Sequence, residues 1–145
     1  MSRTGSTKRV DAAYALGRLR KALAFHEVAT LAAVHLDSTF DADAITTNVV
    51  LAMIAYTDAI TAAYSGQVNQ KDHQAAVKLL RDTLGKSLPD AQERRLNRML
   101  GRKEEMSYGA RLGRQADIQQ AIDNLEEFAA WAKATLAARE ISIDA

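Results

Sequence analysis

The segment VVLAMIAYTDAITAAY, residues 49–64, constrains this chain more than any other feature, because almost every position around a helical circumference there is apolar. A helix on the surface of a globular protein shows one apolar stripe, whereas a helix apolar on all sides must be covered by several neighbours. Val50, Ile54 and Tyr64, with Val49, Met53, Tyr56 and Ile60 on adjoining faces, therefore predict a central helix running to about Tyr64 and ended by Gly66. The stretch is short for a membrane span, and Asp58 in its middle would be costly in lipid, so a buried core helix and no membrane contact are expected.

The other segments supply the covering helices. From Asp11 to about His35, Leu16, Leu19 and Leu23 share close to one face, and Val28, Leu31 and Val34 continue that stripe with drift. The polar run LDSTFDADAI reads as a turn into the central helix, with Asp41 or Asp43 near its start. A third helix begins near Asn69 or Asp72, with His73, Val77, Leu80 and Leu84 on one face, and stops at Gly85. Ser87 offers a cap and Pro89 a tolerated first-turn position for a fourth helix carrying RRLNRMLGRKEEMSYG. A last helix from 115–117 onward repeats Ile118, Ile122, Leu125, Ala129, Ala132 and Leu136, and Phe128 and Trp131 widen that stripe. Ile118, Ile122, Leu125, Phe128 and Trp131 are thus the candidates for packing or dimerisation.

With one proline, seven glycines and 145 residues, the chain is expected to form one all-α domain over 9–141, an antiparallel bundle of four to five helices, behind a disordered tail at 1–8. Absence of cysteine removes disulfides and thiol nucleophiles, and three histidines without HExxH spacing predict no metal site and no cofactor. The basic start MSRTGSTKRV has no apolar run behind it, so a cytoplasmic location is the expectation. A formal charge of +1 offers no global attraction for nucleic acid, which leaves only local patches.

Three such local features stand out. Asp58 has uncharged neighbours for more than a turn on either side, so it is either tied to another helix or a proton-carrying site group. Lys71 and His73 lie at a helix start, where free backbone N–H groups can hold a phosphate. Arg95, Arg98 and Arg102 fall on one helical face that could track phosphates, although Glu93, Glu104 and Glu105 dilute it and no aromatic platform is interleaved.

The order of AYTDAITAAYSG, KDHQAAVKLL, LNRMLGRKEEMSYGARLG and QADIQQAIDNLEEFAAWAKATL resembles small bacterial HEPN-domain proteins of actinobacterial type, over residues 41–136. The matching positions are residues 56–59, Gly66, His73 and the turn expected at 103–108. The resemblance implies a HEPN-like bundle that often dimerises. Some relatives cleave RNA without metal; others bind a nucleotide or a partner such as a nucleotidyltransferase, in toxin–antitoxin or defence-type systems. The ribonuclease branch carries an arginine followed a few residues later by a histidine, late in the domain. Here the late helices hold Arg102, Arg111 and Arg114 but no histidine, and the Arg20–His26 spacing falls in the wrong helix.

The expected function is accordingly non-catalytic binding of a protein partner, a second copy or a nucleotide or phosphate ligand. The alternatives are a metal-independent HEPN ribonuclease, or a purely structural dimerisation adaptor.

Overall fold

A computed structural model describes residues 7–34, 39–108 and 115–143. Its elements run β1 (Thr7–Arg9), α1 (Ala12–Val34), α2 (Thr39–Ser65), β2 (Gln67–Asn69), α3 (His73–Leu84), a single 3-10 turn (Gly85–Ser87), α4 (Asp90–Tyr108) and α5 (Gln115–Ala137). The chain is an all-α helical bundle of five helices, with one short ribbon attached.

Local chemistry places most of the helix ends. The Asp11 carboxylate accepts from the Tyr14 N–H at 2.9 Å and caps α1, and Asp72 accepts from Ala75 N at 2.9 Å and caps α3. Gly66 and Gly85, at φ 68° and 56°, close α2 and α3 in a backbone region that side chains with a Cβ disfavour. Ser87 does not cap α4. It ends the 3-10 turn, and the Pro89 carbonyl accepts the first helical bonds, from Gln92 N at 3.0 Å and Glu93 N at 3.2 Å. Residues 103–108, expected as a turn, continue α4 as helix.

α2 packs against all four other helices. Val49, Met53, Tyr56 and Ile60 are fully buried in a core shared with Leu19, Leu80, Leu96, Met99, Leu125, Phe128 and Leu136. Three hydroxyls of α2 bond back to its own carbonyls, Thr57 to Met53 at 2.8 Å, Thr61 to Asp58 at 3.3 Å and Ser65 to Thr61 at 2.8 Å, whereas the buried Thr46 hydroxyl has no such bond. By length and apolar composition residues 42–65 could cross a membrane, yet most of this helix is buried against its neighbours as a core helix is.

The bundle is not antiparallel throughout. α1 and α2 run antiparallel, joined at one end by the ribbon, in which Thr7 pairs with Asn69, Lys8 with Val68 and Arg9 with Gln67. α4 and α5 are antiparallel too, since Arg98 meets Asn124 and Arg102 meets Asp117. α5, however, runs in the same direction as α2: Tyr56 lies near Glu126 through His26, and a turn pair further on Tyr64 donates to the Thr135 carbonyl at 2.7 Å. α3 makes this possible by ending beside the end of α2, with Thr83 Oγ1 3.3 Å from Ser65 Oγ.

Two expectations shift at the N-terminal half. Thr7 and Lys8 belong to β1, so the expected tail over 1–8 stops short of Thr7, and residues 1–6 lie outside the described residues. Val28, Leu31 and Val34 do not continue the buried stripe of α1. They are 50%, 55% and 72% exposed, while the inward positions are Ala15, Leu19, Ala22 and Ala29.

Candidate functional site

Asp58 is tied to α1. Its Oδ2 lies 3.1 Å from Arg18 Nη2, and the two side chains are 12% and 23% exposed. Burial pushes the Asp58 carboxyl up to about 6, and the Arg18 guanidinium, which pulls in the other direction through charge and hydrogen bonding, offsets only part of that rise. Arg18 Nε is buried with no hydrogen-bond partner, so the pair is incompletely satisfied on its cationic side. His73, the residue the sequence sets beside Asp58, opens α3 as an exposed side chain, and Lys71 is exposed just before it.

Two turns along α1 from Arg18, His26 joins three helices. Its Nδ1 is 2.9 Å from Tyr56 Oη on α2, and its Nε2 is 2.8 Å from Glu126 Oε2 on α5. Burial, with the Glu126 carboxylate adding to it, drives the Tyr56 hydroxyl well above the usual tyrosine range. Tyr56 therefore keeps its proton, and its hydroxyl and the Glu126 carboxylate each hold one ring nitrogen of His26. The order hydroxyl, imidazole, carboxylate matches that of a general-base relay. Here, however, the hydroxyl is fully buried and only Glu126, 55% exposed, faces solvent. No substrate atom can reach the end of the relay where a nucleophile would form, so it acts as a cross-link between α1, α2 and α5.

Only part of the basic face of α4 is turned onto α5, and Arg98 itself is exposed. Arg102 lies 3.0 Å from Asp117 and also donates to the Gln120 side chain, and Arg98 Nη1 is 3.5 Å from Asn124 Oδ1. Arg95 is half-buried. Arg81 is committed in the same way: it donates to the carbonyls of Gly85 at 2.7 Å and Leu88 at 3.2 Å and to the carboxylates of Asp90 and Glu93, holding the joint between α3 and α4. On α5, Ile118, Leu125 and Phe128 are buried in the chain's own core, Ile122 and Trp131 pack partly buried against it, and the Phe128 and Trp131 rings sit 5.3 Å apart.

The sequence reading thus missed Arg18 as the partner of Asp58 and discounted His26, whose inward face was legible from its register with Ala22 and Ala29. Arg111 and Arg114 lie outside the described residues. Among the described residues no group of His, Asp and Glu is placed to hold a metal ion. A shallow groove by the ribbon, lined by Lys8, Arg9, Val10, Asp11 and Tyr14, contains none of the expected site residues; Lys8 there sits 5.3 Å above the Tyr14 ring.

Among the described residues the outer face of α1 is open to a partner. Ala13, Gly17, Arg20, Lys21, Ala24, Glu27, Val28, Leu31 and Val34 are all exposed, spaced by threes and fours along one side of the helix. Six of these positions are apolar or glycine, the reverse of what a solvated helix face carries. No protein-family model matches the chain, and no curated protein sequence matches it either.

Proposed function

We propose that this chain is a non-catalytic interaction module, HEPN-like in its helix order, that works by docking a protein on the outer face of α1. The observation that carries this reading is the exposure of Val28, Leu31 and Val34 together on a rigid helix. Large apolar side chains grouped on one exposed face mark interaction surfaces more often than isolated ones do.

The chemistry of the polar groups favours the same reading over RNA cleavage or phosphate capture. Arg18, Arg81 and Arg102 are each paired with a carboxylate of this chain, which leaves their charge largely compensated. Both ring nitrogens of His26 are taken, by Tyr56 and by Glu126. A histidine so held has no free nitrogen with which to activate a ribose hydroxyl.

A photo-crosslinking residue placed at Leu31, compared in cells with the same residue at the exposed Asp123 on α5, tests the proposal. Protein adducts from position 31 that are absent from position 123 are expected. Adducts to RNA, or equal labelling at both positions, overturn it. Purified protein with EDTA should also leave single-stranded and structured RNA intact; cleavage that disappears in His26→Ala would assign a catalytic role that this reading denies.

A further inference from the structure

We infer that the protein docked on α1 is a second copy of this chain, its α1 lying antiparallel across the first and crossing near Ala24. The inference rests on the interaction-module reading above and names its partner.

The exposed face of α1 has a centre line of Gly17, Ala24 and Leu31, seven residues apart, with Lys21 and Val28 on one flank and Arg20, Glu27 and Val34 on the other. Residues seven apart keep close to one line along a helix, and a facing helix can follow that line. An antiparallel copy related by a two-fold axis at Ala24 brings Leu31 of the partner subunit over Gly17, and the reverse on the other side of the axis. It also sets Arg20 beside Glu27 of the partner subunit, on the same flank, twice. Shape and charge are both matched by one operation.

A parallel copy fails the same comparison. A two-fold axis along the helices exchanges the flanks, so it would place Arg20 against Lys21 of the partner subunit and leave Glu27 opposite Val28 of the partner subunit, without a counter-charge, and this selects the antiparallel arrangement. Neither Arg20 nor Glu27 takes part in an ion pair with another described residue, so both are available for this contact.

Gly17 supplies an independent argument. It lies inside α1, where glycine is a poor helix former, and a Cβ built at that position meets nothing within 4 Å. Among the described residues nothing requires a glycine there. A leucine from a facing helix does, because the missing side chain lets it approach the backbone. The face is narrower than a standard interface of roughly 20–30 residues a side, so the dimer is weak, with dissociation on the order of tens of micromolar and sensitive to salt.

Sedimentation of the full chain from about 1 to 200 μM, a range spanning that affinity, should show the mass rising from 15.8 kDa toward twice that value. Arg20→Glu and Glu27→Arg each place like charges across the two-fold axis, and each should weaken the dimer at least about tenfold. Mixing these two variants restores complementary charges at both contacts, so a heterodimer forms from two chains that do not pair with themselves. Leu31→Glu should abolish association. All three substituted sites are exposed, and unchanged helical circular dichroism verifies the fold.

A chain that stays monomeric throughout overturns self-pairing; protein adducts at position 31 would then leave the interaction-module reading standing with another partner. A dimer indifferent to Arg20→Glu, Glu27→Arg and Leu31→Glu overturns self-pairing through α1, since it would use a different surface.

Discussion

Replacing Asp58 with asparagine separates the two forces acting on the buried pair with Arg18. Burial raises the Asp58 carboxyl from 3.8 to about 6 in the folded chain, so between those values the folded state holds a proton that the unfolded state has released. A raised folded value makes protonation stabilising: the contribution is complete below 3.8 and is lost as pH rises through about 6. At ~1.4 kcal/mol per pH unit, the full difference is about 3 kcal/mol, of which roughly 1.3 kcal/mol appears between about pH 7 and pH 5 and ~2 kcal/mol by about pH 4. With its side chain only 12% exposed, Asp58 is too enclosed for solvent to screen much of this.

The assay is urea unfolding of wild type and Asp58→Asn, followed by helical circular dichroism at several values from about pH 7 to pH 4. Other carboxylates titrate equally in both proteins and cancel in the difference, and so does the constant cost of leaving Arg18 without its counter-charge. Wild type should therefore gain about 1.3 kcal/mol on the variant as the pH falls from about 7 to 5. A difference that stays flat, or that shrinks as acid is added, would refute the argument. It would mean that the Arg18 guanidinium outweighs burial and holds Asp58 ionised.

Three further substitutions follow from the packing. Gly17→Ala, measured at concentrations low enough to keep the chain monomeric, should add about 1 kcal/mol and raise Tm by a few degrees, because the new methyl meets open space and alanine favours the helix. Phe128→Ala should cost roughly 3–5 kcal/mol in urea unfolding, since the ring is fully buried in the core beside Trp131. Asp72→Ala removes the cap on Ala75 N and should cost about 1 kcal/mol, with amide exchange rising first in the opening turn of α3.

Features governed by local chemistry were legible in the sequence. Asp11, Gly66, Asp72 and Gly85 mark helix ends at the positions where a side-chain acceptor or a left-handed residue is needed. The all-round apolar character of residues 49–64 announced a central helix before any neighbour was known. The short ribbon was not legible, because TKR and QVN carry no alternation of their own and exist as strands only by pairing with each other.

Polar partners across the bundle were hidden for a similar reason. Asp58 is 40 residues from Arg18 and 15 from His73 in sequence, and nothing in either spacing says which of the two it faces. The arginines of α4 do share a face, as their spacing implies, but helical periodicity does not reveal whether that face meets water or α5. The outer side of α1 gave a related difficulty: Val28, Leu31 and Val34 read as a drifting continuation of the inner stripe, since apolar residues on both sides of a helix blur its phase.

The parallel placement of α2 and α5 bears on how the molecule is made. α2 leaves the ribosome well before α5, yet Tyr56 and Tyr64 find their partners on α1 and α5, and the α5 contacts lie about 70 residues further along the chain. Until α5 has emerged, a nascent chain holds the most apolar helix of the protein with one side bare. Contacts this distant in sequence form late and slow the final collapse. The interval between synthesis of Ser65 and of Leu136 is therefore the window in which a chaperone has something to hold, and in which a premature stop leaves a sticky remnant in place of a smaller bundle.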